Sequence, residues 1–330
     1  MDEFIFHVAA CSDTPQGGIY SLRVADAAVY PVALSPLAEV NYLLQSPDGL
    51  MRATTKNGLA TLSPRHDGGF DIIDIFAPAG GGCHLALSPT QRFVFTANYH
   101  DGELLVTELA NMLPISTRRI AHSGTLGPHR ERQEMAHPHC TVISPDKCLL
   151  AVADLGLDAI FLYRLSPDTG IEKSPAQMIN LPPGCGPRHI VFTADNDIWV
   201  VGELDNQLYH YRAKAGNYIL EKRASTLPCS DNNIESYAAA LKLSPDGRYI
   251  AASNRGHNSV AVLDLDKLTI ASHTSTEGAW PRDFAFLPNG FAAAANEHSG
   301  TVSLFYYKNN RLISTGEVAH NMPGAMCIVT

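Results

Sequence analysis

Short apolar runs alternate with turn clusters along almost the whole chain. The stretch from Gly186 to Ala213, GPRHIVFTADNDIWVVGELDNQLYHYRA, shows the pattern most plainly. His189 to Thr193 is a β-branched run and Asp195 to Asp197 a turn cluster. Ile198 to Gly202 is a second apolar run, and after Asp205-Asn206 comes the alternation Gln207 to Tyr211. This periodicity predicts three strands of a meander, with Arg188 before the first strand and Glu203 after the second. The entry to the first strand and the exit of the second lie at the same end of a meander, so Arg188 and Glu203 are expected to share one face.

The pattern recurs. HLALSPTQRFVFTANYHDGELLVTEL starts at His84, HCTVISPDKCLLAVADLGLDAIFLYRL at His139, AALKLSPDGRYIAASNRGHNSVAVLDL at Ala239 and PRDFAFLPNGFAAAANEHSGTVSLFYY at Pro281; a weaker copy starts at Asn41. The tail PGAMCIVT at Pro323 reads as a first strand with no second, and FIFHVAACSDTPQGGIYSLRV at Phe4 as a second and third strand lacking a first, so the two ends together supply a seventh unit. Seven units give a spacing of about 47 residues, that of propeller blades of four short strands. The expectation is an all-β, seven-bladed β-propeller over residues 1–330, one domain, closed by the C-terminal strand completing the N-terminal blade.

Composition narrows the class. The chain is 45% hydrophobic and 17% charged, and no apolar run approaches the roughly 18 residues of a membrane helix. A net charge of -9 disfavours a nucleic-acid surface, while leaving room for a local basic pocket. The N-terminus opens with two acids rather than a basic segment, which argues against a signal peptide and for a cytoplasmic protein. Seven cysteines, with no close C-x-x-C pair, argue against a disulfide framework or a zinc site. Cys11, Cys140, Cys148 and Cys327 lie in or at predicted strands and read as core thiols.

Several features are structural. The turns at Ser46, Ser144 and Ser244 (SPDG, SPD and SPDG) join proline, which fixes φ, to aspartate, which bonds its own backbone, and mark hairpins. The run GGGC at Gly80 to Cys83 lacks the lysine and the following helix of a phosphate loop. By contrast, residues 111–138 interrupt the spacing and hold four arginines and three histidines. This insertion precedes a first strand and is expected to lie over the face of Arg188 and Glu203, where a long loop on a rigid scaffold commonly carries binding residues.

Before the first strands stand His84, His137, His139, Arg188, His189 and Arg282; after the second strands stand Asn98, Asp154, Glu203, Asn254, Arg255, Asn296 and Glu297. In a propeller these converge on the mouth of the central channel. The asparagines and Asp154 read as turn formers. Arginines at a channel mouth need an anionic partner, because an unpaired, partly buried guanidinium is costly. Glu203 is one candidate, as a structural ion pair, and a bound anion is another.

HPHCTVISPD, the DLGLD turn, GPRHIVF, GELDNQ, LSPDGRYIAASNRGHNSVAV and STEGAWPRDF together carry a resemblance over nearly the whole chain. It resembles the lactonase family of seven-bladed propellers, which includes bacterial propeller-type 6-phosphogluconolactonases and a fungal carboxymuconate-lactonizing enzyme. The resemblance implies a site without metal or other cofactor, carried by His139, Arg188, Glu203 and Arg255. It leaves open whether a lactone is opened or closed. Ala10-Cys11-Ser12 stands where many members have a Gly-Thr-Tyr-like turn, and Glu297 where Gln is common.

The residues suit that chemistry. Hydrolysing a lactone needs an activated water, donors for the oxyanion and a grip on the rest of the substrate. Glu203 is the candidate base; Arg188 and Arg255 are candidates to polarise the carbonyl and to bind a carboxylate or phosphate through paired hydrogen bonds. His139 is placed to donate or to move the proton to the leaving hydroxyl. His137, His189, Arg282 and Glu297 are candidates for substrate binding. No Ser or Cys nucleophile with a neighbouring base stands out, which favours direct attack by water on a small, anionic lactone. Three alternatives stay open: a lactonizing cycloisomerase, a calcium-dependent sugar lactonase using oxygen ligands among Asp154, Glu203, Asn254, Asn296 and Glu297, and a propeller that binds a partner without turnover.

Overall fold

Each apolar run forms a strand because its alternate side chains are buried on both faces of a sheet, and each Ser-Pro-Asp turn ends one. Asp48, Asp146 and Asp246 accept through Oδ1 from the backbone N–H two residues on, at 3.0, 3.0 and 3.2 Å. The serine hydroxyls of Ser144 and Ser244 donate to the same aspartates at 2.6 Å. In the computed structural model, which describes residues 3–228 and 234–330, the strands assemble into seven antiparallel sheets. The sheets take residues 4–36, 40–76, 84–121, 138–180, 187–225, 237–275 and 281–319, with the last strand of the chain joining the first of them. The fold is a seven-bladed β-propeller. Met1, Asp2 and Cys229 lie outside the described residues.

Closure follows the expected route. The strand Ala325–Val329 pairs antiparallel with Phe4–Ala10, Val8 opposite Ile328 and Ala9 opposite Cys327. No helix among the described residues is long and apolar enough to cross a membrane.

By its contacts the chain falls into two compact units, residues 1–53, 62–73 and 224–330 in one, 54–61 and 74–223 in the other. In the first, Phe6, Val8, Leu22, Leu304, Met322 and Ile328 share one core, and Phe284, Ala292, Ala294, Val262 and Phe305 another. Alanine fills four consecutive positions of the strand Phe291–Asn296 and is fully buried at each. In the second unit, Ile160, Ile190, Val200 and Tyr209 pack between two blades, as do Phe95, Leu104, Val152 and Phe161. Each such core is the interdigitation of two facing sheets.

Cys140 and Cys327 are buried on strands, whereas Cys11 follows its strand and Cys148 is an exposed turn residue, because the strand begins at Leu149. The segment 111–138 is shorter as an insertion than its composition suggests. Its first part is the strand Leu113–Ala121, the edge strand of its blade, in which Arg119 bonds Glu103 and Asp101 and Arg118 bonds the carbonyls of Thr169 and Ile171. Only residues 122–137 form the loop, so two of the four arginines serve sheet edges.

Candidate functional site

Three candidate residues enter the structure by the same local device. In the strands Pro138–Ile143, Pro187–Phe192 and Pro281–Phe286 the proline opens the strand, and the register slips at the next residue. Pro187 pairs with Gly202 but His189 with Val201, leaving Arg188 as the extra residue; His139 and Arg282 are the extra residues at the corresponding slips. A bulge bends a strand and re-aims its side chain. Proline fits there because it has no N–H to give to a ladder.

In the unit of residues 74–223 the side chains meet at Glu203. Its backbone N–H donates to Gly186 O at 2.8 Å, tying the end of the strand Ile198–Gly202 to the residue two before Arg188. Arg188 Nε then lies 3.0 Å from Glu203 Oε2, with both side chains almost wholly buried. The shared face expected from the meander is present. Glu203 Oε1 receives a second guanidinium, that of Arg132 from the loop 122–137, which also lies 3.5 Å from the Tyr99 hydroxyl. Burial works against the charge on Arg132, but Glu203 and Tyr99 outweigh it and hold its guanidinium above the ordinary arginine range. Burial likewise raises the Tyr99 phenol.

Histidines line the same cluster. The His139 ring stands 5.5 Å from Tyr99 and 6.0 Å from His189, and the His84 ring 5.4 Å from His189. Cys83 Sγ donates to the carbonyl of His139 at 3.4 Å and lies 4.0 Å from its Nδ1. His137 stacks on Tyr99 with ring centres 4.1 Å apart, donates from Nδ1 to the Tyr99 carbonyl at 2.8 Å and places Nε2 3.1 Å from Glu134. These contacts make His137 a pillar of the loop. Asp154, fully buried, accepts from His137 N at 2.8 Å and from Leu157 N at 3.2 Å, and contacts His122 Nδ1 at 2.8 Å.

Arg255, Arg282 and Glu297 lie in the other unit. The strand Tyr249–Arg255 ends on Arg255, whose guanidinium stands 5.6 Å from the Trp280 ring centre and 6.0 Å from that of Tyr237, and donates to the carbonyls of Tyr237 and Ala238. Arg282 pairs with Glu297 at 3.2 Å, both side chains partly exposed. Asn254 donates to the Thr226 carbonyl and Asn296 to the Thr276 carbonyl, which ties the ends of their strands to neighbouring backbone as turn formers do. In that unit Ser259 Oγ lies 2.9 Å from His257 Nδ1 and 3.0 Å from His273 Nε2. This Ser-His contact escaped the sequence because His273 comes from the edge strand Thr269–Ser275, outside the repeated positions; the serine is buried.

Among the described residues no group of three or more His, Cys, Asp or Glu side chains is arranged to hold a metal ion. The glutamate cluster instead pairs one carboxylate with two guanidiniums, with the Tyr99 phenol beside Arg132 and the His137 and His139 rings beside Tyr99, an arrangement suited to anions and to proton transfer. The structure brings Arg188 to Glu203 and the His139 ring to His189; the sequence pointed to the arginine-rich segment 111–138 over this face without singling out Arg132, and it gave no reading of Tyr99. Arg132 lies in a loop with no counterpart in the repeat. Tyr99, directly after Asn98, occupies the position that Glu203 takes in its own blade, which is a signal the repeat does carry.

A family model described as "Lactonase, 7-bladed beta-propeller" matches residues 5–330. A Bacillus subtilis protein named 6-phosphogluconolactonase is 31% identical over 329 residues, covering 92% of this chain and 91% of the relative. Among solved structures, a protein from Lactobacillus plantarum superposes with a TM-score of 0.91 at 27% identity, covering 99% of both chains. The periplasmic gluconolactonase of Pseudomonas aeruginosa gives 0.87 at 24% identity, also covering 99% of both, and shows the fold. The chain belongs to the lactonase family of seven-bladed β-propellers.

Proposed function

We propose that this chain hydrolyses a sugar lactone carrying an anionic group, 6-phosphogluconolactone being the type of substrate, by direct attack of water on the lactone carbonyl. The observation that carries this reading is the buried Glu203 carboxylate held between Arg188 and Arg132, with the His139 ring 5.5 Å from Tyr99, which in turn meets Arg132. Glu203 takes a proton from the attacking water as its oxygen bonds to the carbonyl carbon. Arg188, its side chain 3% exposed, donates toward the oxyanion that forms, and a donor so little solvated is worth more than one in water. The ring C–O bond then breaks, and His139 delivers the proton to the departing hydroxyl. Membership of the lactonase family and the name of the B. subtilis relative support the substrate class. Arg255, Arg282 and Glu297, in the other unit, take no part in this assignment.

The test is hydrolysis by purified protein of a panel of sugar lactones, each in phosphorylated and unphosphorylated form. Ring opening well above the spontaneous rate for at least one phosphorylated lactone is expected. A panel left at its spontaneous rates throughout contradicts the reading.

A further inference from the structure

A base at Glu203 meets a difficulty. Its Oε2 faces the Arg188 guanidinium at 3.0 Å and its Oε1 accepts from Arg132, and a carboxylate so engaged on both oxygens is a weak base. The two arginines are not equivalent. Arg188 springs from a strand with its side chain 3% exposed, whereas Arg132 springs from the loop 122–137 with its side chain 37% exposed.

The loop backbone beside Arg132 is anchored. Gln133 is buried and donates from Nε2 to the Leu155 carbonyl and to Asp158, both at 2.8 Å, and accepts from His129 N at 3.1 Å. A Cβ on Gly156 would stand 1.8 Å from Met135 O, so that turn and the loop are in direct backbone contact. The backbone beside Arg132 is thus held by buried contacts, while its side chain is the solvent-facing partner of Glu203.

We infer that Arg132 is the recognition residue for the substrate's anionic group and that it exchanges partners on binding, leaving Glu203 Oε1 for the substrate's phosphate or carboxylate. The inference rests on the reading of Glu203 as base. The planar fork of a guanidinium suits a phosphate as it does a carboxylate, so the exchange replaces one charge-assisted contact by another at little cost. The released Oε1 then takes the proton of the attacking water, His139 delivers its proton to the opened ring's hydroxyl, and the proton held by Glu203 replaces the one His139 has given up, restoring carboxylate and imidazole alike. A neutral lactone provides no second partner for Arg132 and meets a base still engaged. Substrate charge thus switches on the base as well as adding affinity.

The experiment follows kcat and KM for one sugar lactone and its phosphorylated form with the wild-type protein, Arg132→Ala, Arg132→Lys and Glu203→Gln, with and without added methyl phosphate. In the wild type the phosphorylated form is preferred and methyl phosphate accelerates hydrolysis of the neutral lactone. In Arg132→Ala the preference in kcat/KM falls by about 10- to 100-fold, the worth of one charge-assisted hydrogen bond. That variant also turns over the neutral lactone faster than the wild type does and no longer responds to methyl phosphate, while Arg132→Lys falls between. A phosphate preference unchanged in Arg132→Ala overturns the exchange, as does inhibition of the neutral reaction by methyl phosphate in the wild type. If Glu203→Gln is inactive while the preference survives loss of Arg132, only the exchange fails; if Glu203→Gln stays active, the base reading fails first.

Discussion

Glu203 is a buried carboxylate whose partners bear on stability and on the proposed chemistry alike. Its side chain is 1% exposed, and a buried carboxylate without partners carries a desolvation cost of several kcal/mol. Arg188 is the buried cation opposite, which makes Arg188→Lys informative: lysine keeps the charge and loses the fixed fork. If Arg188 meets the oxyanion, kcat should fall by about 10²- to 10³-fold with a smaller change in KM. A rise confined to KM would instead make it a binding residue. The pairing of these two residues was legible in the sequence because the strand period fixes which ends of a meander coincide. The reach of Arg132 was not, since residues 122–137 form a loop, and a loop's path is set by anchors such as Gln133 and Asp158, distant in sequence.

At the scale of elements, a proline followed by histidine or arginine at the head of a first strand marks the bulges at His139, Arg188 and Arg282. That signal stood in the sequence as Pro138-His139, Pro187-Arg188 and Pro281-Arg282, and only the pairing register gives it meaning. The DLGLD turn works as a clamp. Asp158 accepts from Gly184 N at 2.6 Å and Gly186 N at 2.8 Å as well as from Gln133, fixing both the approach to Arg188 and the loop of Arg132. Nearby, the turn after Glu203 holds a carboxyl whose titration is informative. Burial raises Asp205 from 3.8 to about 6, against the opposing hydrogen bonds from the Tyr209 hydroxyl and Gln207 N. The folded chain therefore binds this proton more tightly than the unfolded chain. Its contribution to stability is present below about pH 4 and is lost as pH rises through about 6. His7, lowered to about 4 by burial, acts in the opposite sense over a similar range, so the informative quantity is the difference between variant and wild type. Asp205→Asn should gain in Tm relative to the wild type as pH is raised from 4 to 7. A difference between the two curves that is flat across that range would show that Asp205 is not perturbed.

For the whole molecule, closure is the determining feature. The repeat was legible in the apolar runs, and in three blades in their Ser-Pro-Asp turns, and so was the completion of the first blade by the tail. Ala325, Cys327 and Ile328 are buried in that pairing, and full burial of an aliphatic side chain is worth about 1.5–3 kcal/mol. Deleting residues 323–330 would also bare the edge of Phe4–Ala10 to pairing with other chains. The truncated protein should melt well below the full-length chain and aggregate on heating; equal melting temperatures would show that the tail is dispensable. The central claim, that Glu203 drives ring opening of an anionic lactone, is tested most directly by the kcat of Glu203→Gln on a phosphorylated sugar lactone that the wild type hydrolyses. The glutamine keeps the shape and removes the charge, so kcat should fall by at least about 10²- to 10⁴-fold, while the variant stays folded and still binds the product. Turnover within a few-fold of the wild type would contradict the account.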